Sequence, residues 1–218
     1  MDSYMFKEVI FDIETQRLFD EIEDRSRVAD LGVSVVSAYR RAIDNQGVER
    51  EGEMKSFWTP DVDIGEDLGE KGFDQLWGWF EGADRIIGFN SLGFDVPILD
   101  FLYPRDLFKL AHFDILEKIK EKLGHRLSLD AVAKESLEES KIAVGIDAVL
   151  WWQKRDIESL EKLKKYCEAD VEVTRKVYDK ALHEGSLRYR NKWNEVKEVD
   201  LDFRYPEKEE EDSQLGLF

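Results

Sequence analysis

Two carboxylates, Asp12 and Glu14, close a segment that is otherwise built for burial. Lys7-Glu8-Val9-Ile10-Phe11-Asp12-Ile13-Glu14 has the apolar density of a buried strand. Residues two apart on a strand share one face, so both acids point the same way. Like charges side by side on a buried face repel each other and lose hydration, at a cost of several kcal/mol per ion by order of magnitude. A divalent cation removes both difficulties, because Mg²⁺ prefers hard oxygen ligands. The pair also fits a strand that ends at Asp12 with both side chains in water, and taken alone it favours that simpler arrangement.

The rest of the chain reads as an α/β domain. Leu31 to Tyr39 is a second strand rich in β-branched residues, and Gly52 to Trp58 a third, ahead of turn signals at Pro60. Phe73 to Phe80 reads as helix and Arg85 to Phe89 as a short buried strand. Helical spacing returns at Ile115–Leu123, Leu129–Leu137 and Ile157–Leu182. Early strands with interspersed and later helices predict a mixed central sheet flanked by helices. Arg188–Trp193 and Val196–Phe203 are predicted to form a terminal hairpin. Pro206 to Asp212 is a like-charge run of the kind that stays disordered.

Composition bounds the function. No apolar run is long enough to cross a bilayer, and the N-terminus has no signal-peptide pattern. One cysteine, Cys167, forms no intrachain disulfide and fits a reducing, cytoplasmic setting. The net charge of −17 argues against a polyanionic partner. Two features soften that argument: acids that ring a metal site are neutralised there, and many others crowd into Glu195–Asp212.

Further acids stand in unexpected places. On the helix from Ile157, spacings of three and four residues put Asp170 on the apolar face with Leu160, Leu163, Cys167, Thr174 and Val177. Tyr166 lies one turn earlier, so its hydroxyl reaches the same spot as the Asp170 carboxylate. A core aspartate paired with a nearby Lys or Arg accounts for Asp170 equally well. Asp95 follows the turn Asn90-Ser91-Leu92-Gly93 and precedes Pro97, where an aspartate also serves as a helix N-cap.

Taken together and in order, these segments resemble the DEDD exonuclease superfamily. Phe11-Asp12-Ile13-Glu14-Thr15 resembles its first motif. Gly88-Phe89-Asn90-Ser91-Leu92-Gly93-Phe94-Asp95-Val96-Pro97 resembles the second, in the form found in family-B polymerase proofreading domains. Tyr166-Cys167-Glu168-Ala169-Asp170 resembles the third, and Leu127 to Lys134 the helix between the last two. The histidine branch carries a histidine five residues before the final aspartate. Lys165 stands there, so Tyr166 assigns the chain to the tyrosine branch.

The resemblance implies a ribonuclease H-like fold over residues 1–190 and 3′→5′ exonuclease activity. It implies two divalent cations, Mg²⁺ or Mn²⁺, held by Asp12, Glu14, Asp95 and Asp170, with Tyr166 orienting the attacking water. Thr15, Asn90 and Phe94 would line the terminal nucleotide. Basic clusters at Lys118-Lys120-Lys122, Lys162-Lys164-Lys165 and Arg188-Arg190-Lys192 read more readily as solvated faces than as phosphate grips. Residues 191–205 are expected to form the hairpin and 206–213 an acidic linker. Gln214-Leu215-Gly216-Leu217-Phe218 resembles the bacterial sliding-clamp-binding peptide, with Gln214, Leu215, Leu217 and Phe218 as its contacts; Gly216 departs from the usual Ser or Asp. That peptide favours DNA over RNA as substrate and implies a nucleoid-associated location. The rival expectations are a 3′→5′ exoribonuclease and a catalytically silent nucleic-acid- or clamp-binding module.

Overall fold

A computed structural model describes residues 5–44, 46–64, 68–137 and 145–205. The expected linker 206–213 and peptide 214–218 lie outside the described residues. Six strands form one mixed sheet in the order β4-β3-β2-β1-β5-β6. Its centre is β1 (Phe6–Thr15), antiparallel to β2 (Val33–Ile43), which pairs in turn with β3 (Glu49–Trp58). On the other side β1 runs parallel to β5 (Arg85–Gly88), and β5 to β6 (His112–Asp114). A two-residue strand, β4 (Glu70–Lys71), closes the far edge. This is the mixed sheet with flanking helices that the sequence predicts.

Alternation along β1 sorts its side chains between two cores. Val9, Phe11 and Ile13 face a cluster built with α1 (Asp74–Glu81) and α2 (Asp95–Leu99). Ile10 faces the opposite cluster, shared with α3 (Ile115–Leu123), α4 (Leu129–Leu137) and the long α6 (Ile157–Glu184). Asp12 and Glu14 have the same strand parity as Ile10 and so belong to the face that α6 covers. A third cluster, with Trp58, Trp152 and Tyr166, joins α5 (Gly145–Lys154) to α6.

The helix ends follow from local chemistry. Asp114 caps α3 by accepting from the N–H groups of Leu116 and Glu117, and Asp156 caps α6 by accepting from Ser159 N–H. Gly124 and Gly185 stop these two helices in the left-handed conformation that glycine adopts without steric cost. Along α6, Leu160, Leu163, Cys167, Asp170, Val171, Thr174 and Val177 are all buried, the face that the spacing predicts.

The start of β1 holds a buried ionic cluster. Glu8 is fully buried, paired with Arg41 at 2.8 Å, and accepts hydrogen bonds from the hydroxyls of Tyr178 at 2.8 Å and Tyr205 at 2.9 Å. Arg41 also pairs with Asp179 of α6. Arg85 donates to the Phe203 carbonyl and lies over the Tyr205 ring, which stacks on Phe6 with centroids 3.7 Å apart. These contacts fasten the segment after the hairpin of β7 (Ser186–Arg190) and β8 (Val196–Asp200) to the sheet.

Candidate active site

The end of β1 is shaped by two irregularities. β1 pairs with β5 only over Glu8–Ile10, so beyond Ile10 one edge of the strand has no ladder partner in β5. On the other edge the register with β2 shifts between Glu14 and Thr15, a bulge of the kind that re-aims side chains. Ser34, in the bulge, donates its hydroxyl to the Glu14 carbonyl at 2.9 Å. The strand therefore delivers Asp12, Glu14 and Thr15 where regular pairing gives out.

Asp95 reaches this strand end from α2. Its carboxylate accepts a hydrogen bond from the N–H of Ile13, the residue between Asp12 and Glu14. Burial, together with the charge of Asp114, pushes its pKa up to about 7. The helix cap falls on Phe94, and Asp95 is the first helical residue, so the capping role open to it from sequence is not the one it plays.

From α6, Tyr166 hydrogen-bonds to Asp170 one turn further along. Burial raises the phenol pKa first, and the charges of Asp170, Glu14 and Asp12 raise it further. Those couplings place the hydroxyl among three of the four expected acids. Trp151 packs edge-on against the Tyr166 ring at 6.1 Å. Glu14, Asp95 and Asp170 are buried and Asp12 is half-buried.

Asp12, Glu14 and Cys167 bring one ligand atom each within 4.8 Å of one another. Asp95 and Asp170 stand outside this tightest group. The carboxylates are hard donors that suit Mg²⁺ or Mn²⁺, whereas a thiolate would suit softer metals. Burial, followed by the charges of Asp12 and Glu14, holds the Cys167 pKa well above its usual value, so the sulfur keeps its proton. The thiol donates to the Asp12 carbonyl at 3.5 Å. The donor set thus fits a hard divalent cation held by oxygen.

The three expected nucleotide contacts are arranged differently from one another. Thr15 is half-buried and donates its hydroxyl to the Arg17 carbonyl at 2.9 Å. Asn90 adopts a left-handed backbone with φ 66°, and its side-chain oxygen accepts from Arg126. Phe94 is half-buried, packs on the core and lies 6.0 Å from the exposed ring of Phe19. Among the basic clusters, Lys118 pairs with Glu121, Lys162 with Glu158 and Arg190 with Glu135, as solvated faces do.

Sequence reading overlooked Asp114. Besides capping α3, its carboxylate accepts from the N–H of Asn90 at 2.9 Å and of Leu92 at 3.0 Å, fixing the turn that leads to Asp95. The signal was present as Asp114-Ile115-Leu116-Glu117, an acidic cap followed three residues later by Glu ahead of an apolar helix. Gly88 tightens the same turn, since a Cβ there would meet the Ser91 Cβ at 2.5 Å.

No curated protein matches this chain. Residues 9–182 match RNase_H_2, a family of the RNase_H superfamily, and the match runs from within β1 almost to the end of α6. Membership points to nuclease chemistry on nucleic acid as the general class, with divalent metal as its usual requirement. The fold, the carboxylates at the end of the central strand and the matched span agree: the chain belongs to the RNase H superfamily.

Proposed function

We propose that this protein is a metal-dependent 3′→5′ exonuclease of the tyrosine-bearing DEDD branch, acting on single-stranded DNA ends. The observation that carries the proposal is the convergence of Tyr166 with Asp12, Glu14 and Asp170, while Asp95 binds the backbone between the first two. Asp12, Glu14, Asp95 and Asp170 would hold two divalent cations. When bound, such cations supply an acidified water and neutralise charge building on the scissile phosphate. Tyr166, kept neutral by its surroundings, donates to Asp170 and offers a fixed hydroxyl to orient an attacking water. It does not act as a free base, because its pKa is raised rather than lowered. Thr15, Asn90 and Phe94 stand near enough in sequence to these acids to seat the terminal nucleotide.

Gln214, Leu215, Leu217 and Phe218 would recruit the protein to a bacterial sliding clamp. Linking two binding modules raises the local concentration of a weak binder to the order of ~1 mM. For a chain with net charge −17 that compensates for poor electrostatic attraction to DNA.

The deciding experiment is digestion of 5′-labelled single-stranded DNA and RNA of one sequence with Mg²⁺ or Mn²⁺, beside EDTA and Asp12→Ala controls. A ladder shortening from the 3′ end and lost in both controls supports the proposal, and the faster substrate chooses between DNA and RNA. No cleavage by folded protein with either metal would reject it in favour of a binding module.

A further inference from the structure

A cleft of about 460 Å³ opens beside the end of β1 and contains two arginines that the catalytic reading leaves unused. One wall is Gln16, Arg17 and Glu21, which follow directly on Thr15. The other is Trp152, Gln153 and Arg155, at the end of α5 and the turn after it. Glu21 ties the walls together: its two oxygens accept from Leu18 N–H at 2.7 Å and from the Gln153 amide at 3.2 Å. The α5 wall adjoins the proposed site directly, since Trp152 shares a core cluster with Tyr166 and its neighbour Trp151 packs on the Tyr166 ring.

Arg155 occupies a costly backbone position. It follows the last residue of α5 with φ 60°, where glycine is favoured and a side chain is strained. Its guanidinium lies 3.6 Å over the buried Trp152 ring, which holds the flat cation in place. The nearest acid, Asp61, stands off at 3.8 Å. Arg17 is exposed, donates one N–H to the Asp30 carbonyl at 3.1 Å, and has no ion pair among the described residues. Several other surface arginines are committed to acids, among them Arg25 to Asp20, Arg27 to Asp30 and Arg50 to Asp44. In a chain so acidic, two weakly committed guanidiniums against one acid, Glu21, leave the cleft with a local positive balance.

We infer that this cleft takes backbone phosphates of the substrate strand, on the nucleotides preceding the one being removed, with Arg17 and Arg155 as its phosphate contacts. The inference rests on the exonuclease reading for the direction of the strand, though not for binding itself. Arg155 would serve as a pre-oriented fork and Arg17 as an adjustable one. The amides of Gln16 and Gln153 are engaged by the Val33 carbonyl and by Glu21, so the two guanidiniums carry the contact, and sequence-independent grip of this kind suits an enzyme that steps along any sequence.

The test uses the full-length protein and a fluorescent oligothymidylate about a dozen nucleotides long, followed by anisotropy in EDTA across a salt series. Arg155→Gly removes the guanidinium while relieving the backbone strain, so its melting temperature holds or rises and misfolding is not a confounder. Each of Arg155→Gly and Arg17→Ala is expected to weaken binding roughly tenfold. Each should also flatten the slope of log affinity against log salt by about 0.7, the value for one phosphate contact to a single strand. Arg50→Ala, which deletes the same charge near the remote start of β3, provides the comparison. In turnover, KM should rise more for the long strand than for a dinucleotide, which has no upstream phosphates to offer. Binding lost equally in Arg50→Ala, an unchanged salt slope, or equal penalties on long and short substrates would overturn the inference. If the wild type binds with the expected slope yet degrades nothing, the exonuclease reading fails while the phosphate cleft stands. If it binds no single strand at all, the cleft is rejected.

Discussion

The Asp95 carboxylate accepts the N–H of Ile13, so the acid from α2 is fastened to the backbone between the two acids of β1. The arrangement has a pH signature, because burial and Asp114 raise the Asp95 pKa to about 7 from 3.8. The native state then binds a proton that the unfolded chain has released between those values, so stability falls as pH rises through that window. In EDTA the loss approaches ~4 kcal/mol as an upper bound. Urea titrations at pH 5 and pH 8 should show it, and Asp95→Asn, which keeps the acceptor for Ile13, should largely abolish it. A variant whose profile parallels the wild type would exclude Asp95 as the source.

Cation binding should reverse that trend. Mg²⁺ or Mn²⁺ at about a hundred times its dissociation constant adds about 2.7 kcal/mol. The gain is expected to be larger at pH 8 than at pH 5, because cation and proton compete for the same oxygens. Thermal melts with and without metal read it directly, and Asp12→Asn should remove most of the increment.

The Cys167 sulfur lies within 4.8 Å of carboxylate oxygens of Asp12 and Glu14, and its protonated state makes it dispensable. Cys167→Ala is expected to cost about 1 kcal/mol in stability from the lost packing. Metal-induced stabilisation and metal-dependent activity should survive. Loss of the metal-induced melting shift in this variant would make the thiol a ligand and overturn the hard-donor assignment.

Tyr166→Phe keeps the ring packed against Trp151 and deletes only the hydroxyl. On the proposed function it should lower kcat by on the order of 10², with little change in melting temperature. Since the phenol pKa is raised, the pH–rate profile below pH 10 should keep its shape. A profile that loses its alkaline limb in Tyr166→Phe would show that the hydroxyl titrates during turnover.

Gly88→Ala should strain the turn carrying Asn90, because the added Cβ meets the Ser91 side chain. A cost of about 1–3 kcal/mol is expected from the overpacking. Adding Ser91→Gly should restore much of it, and additive losses in that double-mutant cycle would place the strain elsewhere.

Legibility from sequence tracked the range of the interactions. α3 and α4 match their predicted bounds, and β1 differs by one residue at each end, because period and caps are local. β2 starts at Val33 rather than Leu31, since Leu31 closes a short 3-10 turn ahead of it. β4 and β6, two and three residues long, offer too little pattern to find, and α5 has apolar residues with no clear stripe. Spacing alone puts Asp170 on the buried face of α6, and it is buried there. The pairing of Arg41 with Asp179 joins residues 138 apart, and the Arg155 strain is a backbone property. Neither leaves a local trace.

The stack of Tyr205 on Phe6 pins the last described residue to the start of β1. Glu8, which Tyr205 also binds, and Glu14 lie at opposite ends of one strand, about 20 Å apart at the rise of an extended chain. The last described residue is therefore anchored at the end of β1 away from the carboxylates. One strand thus separates two jobs along its length: an aromatic clasp at its beginning and an acidic cluster at its end.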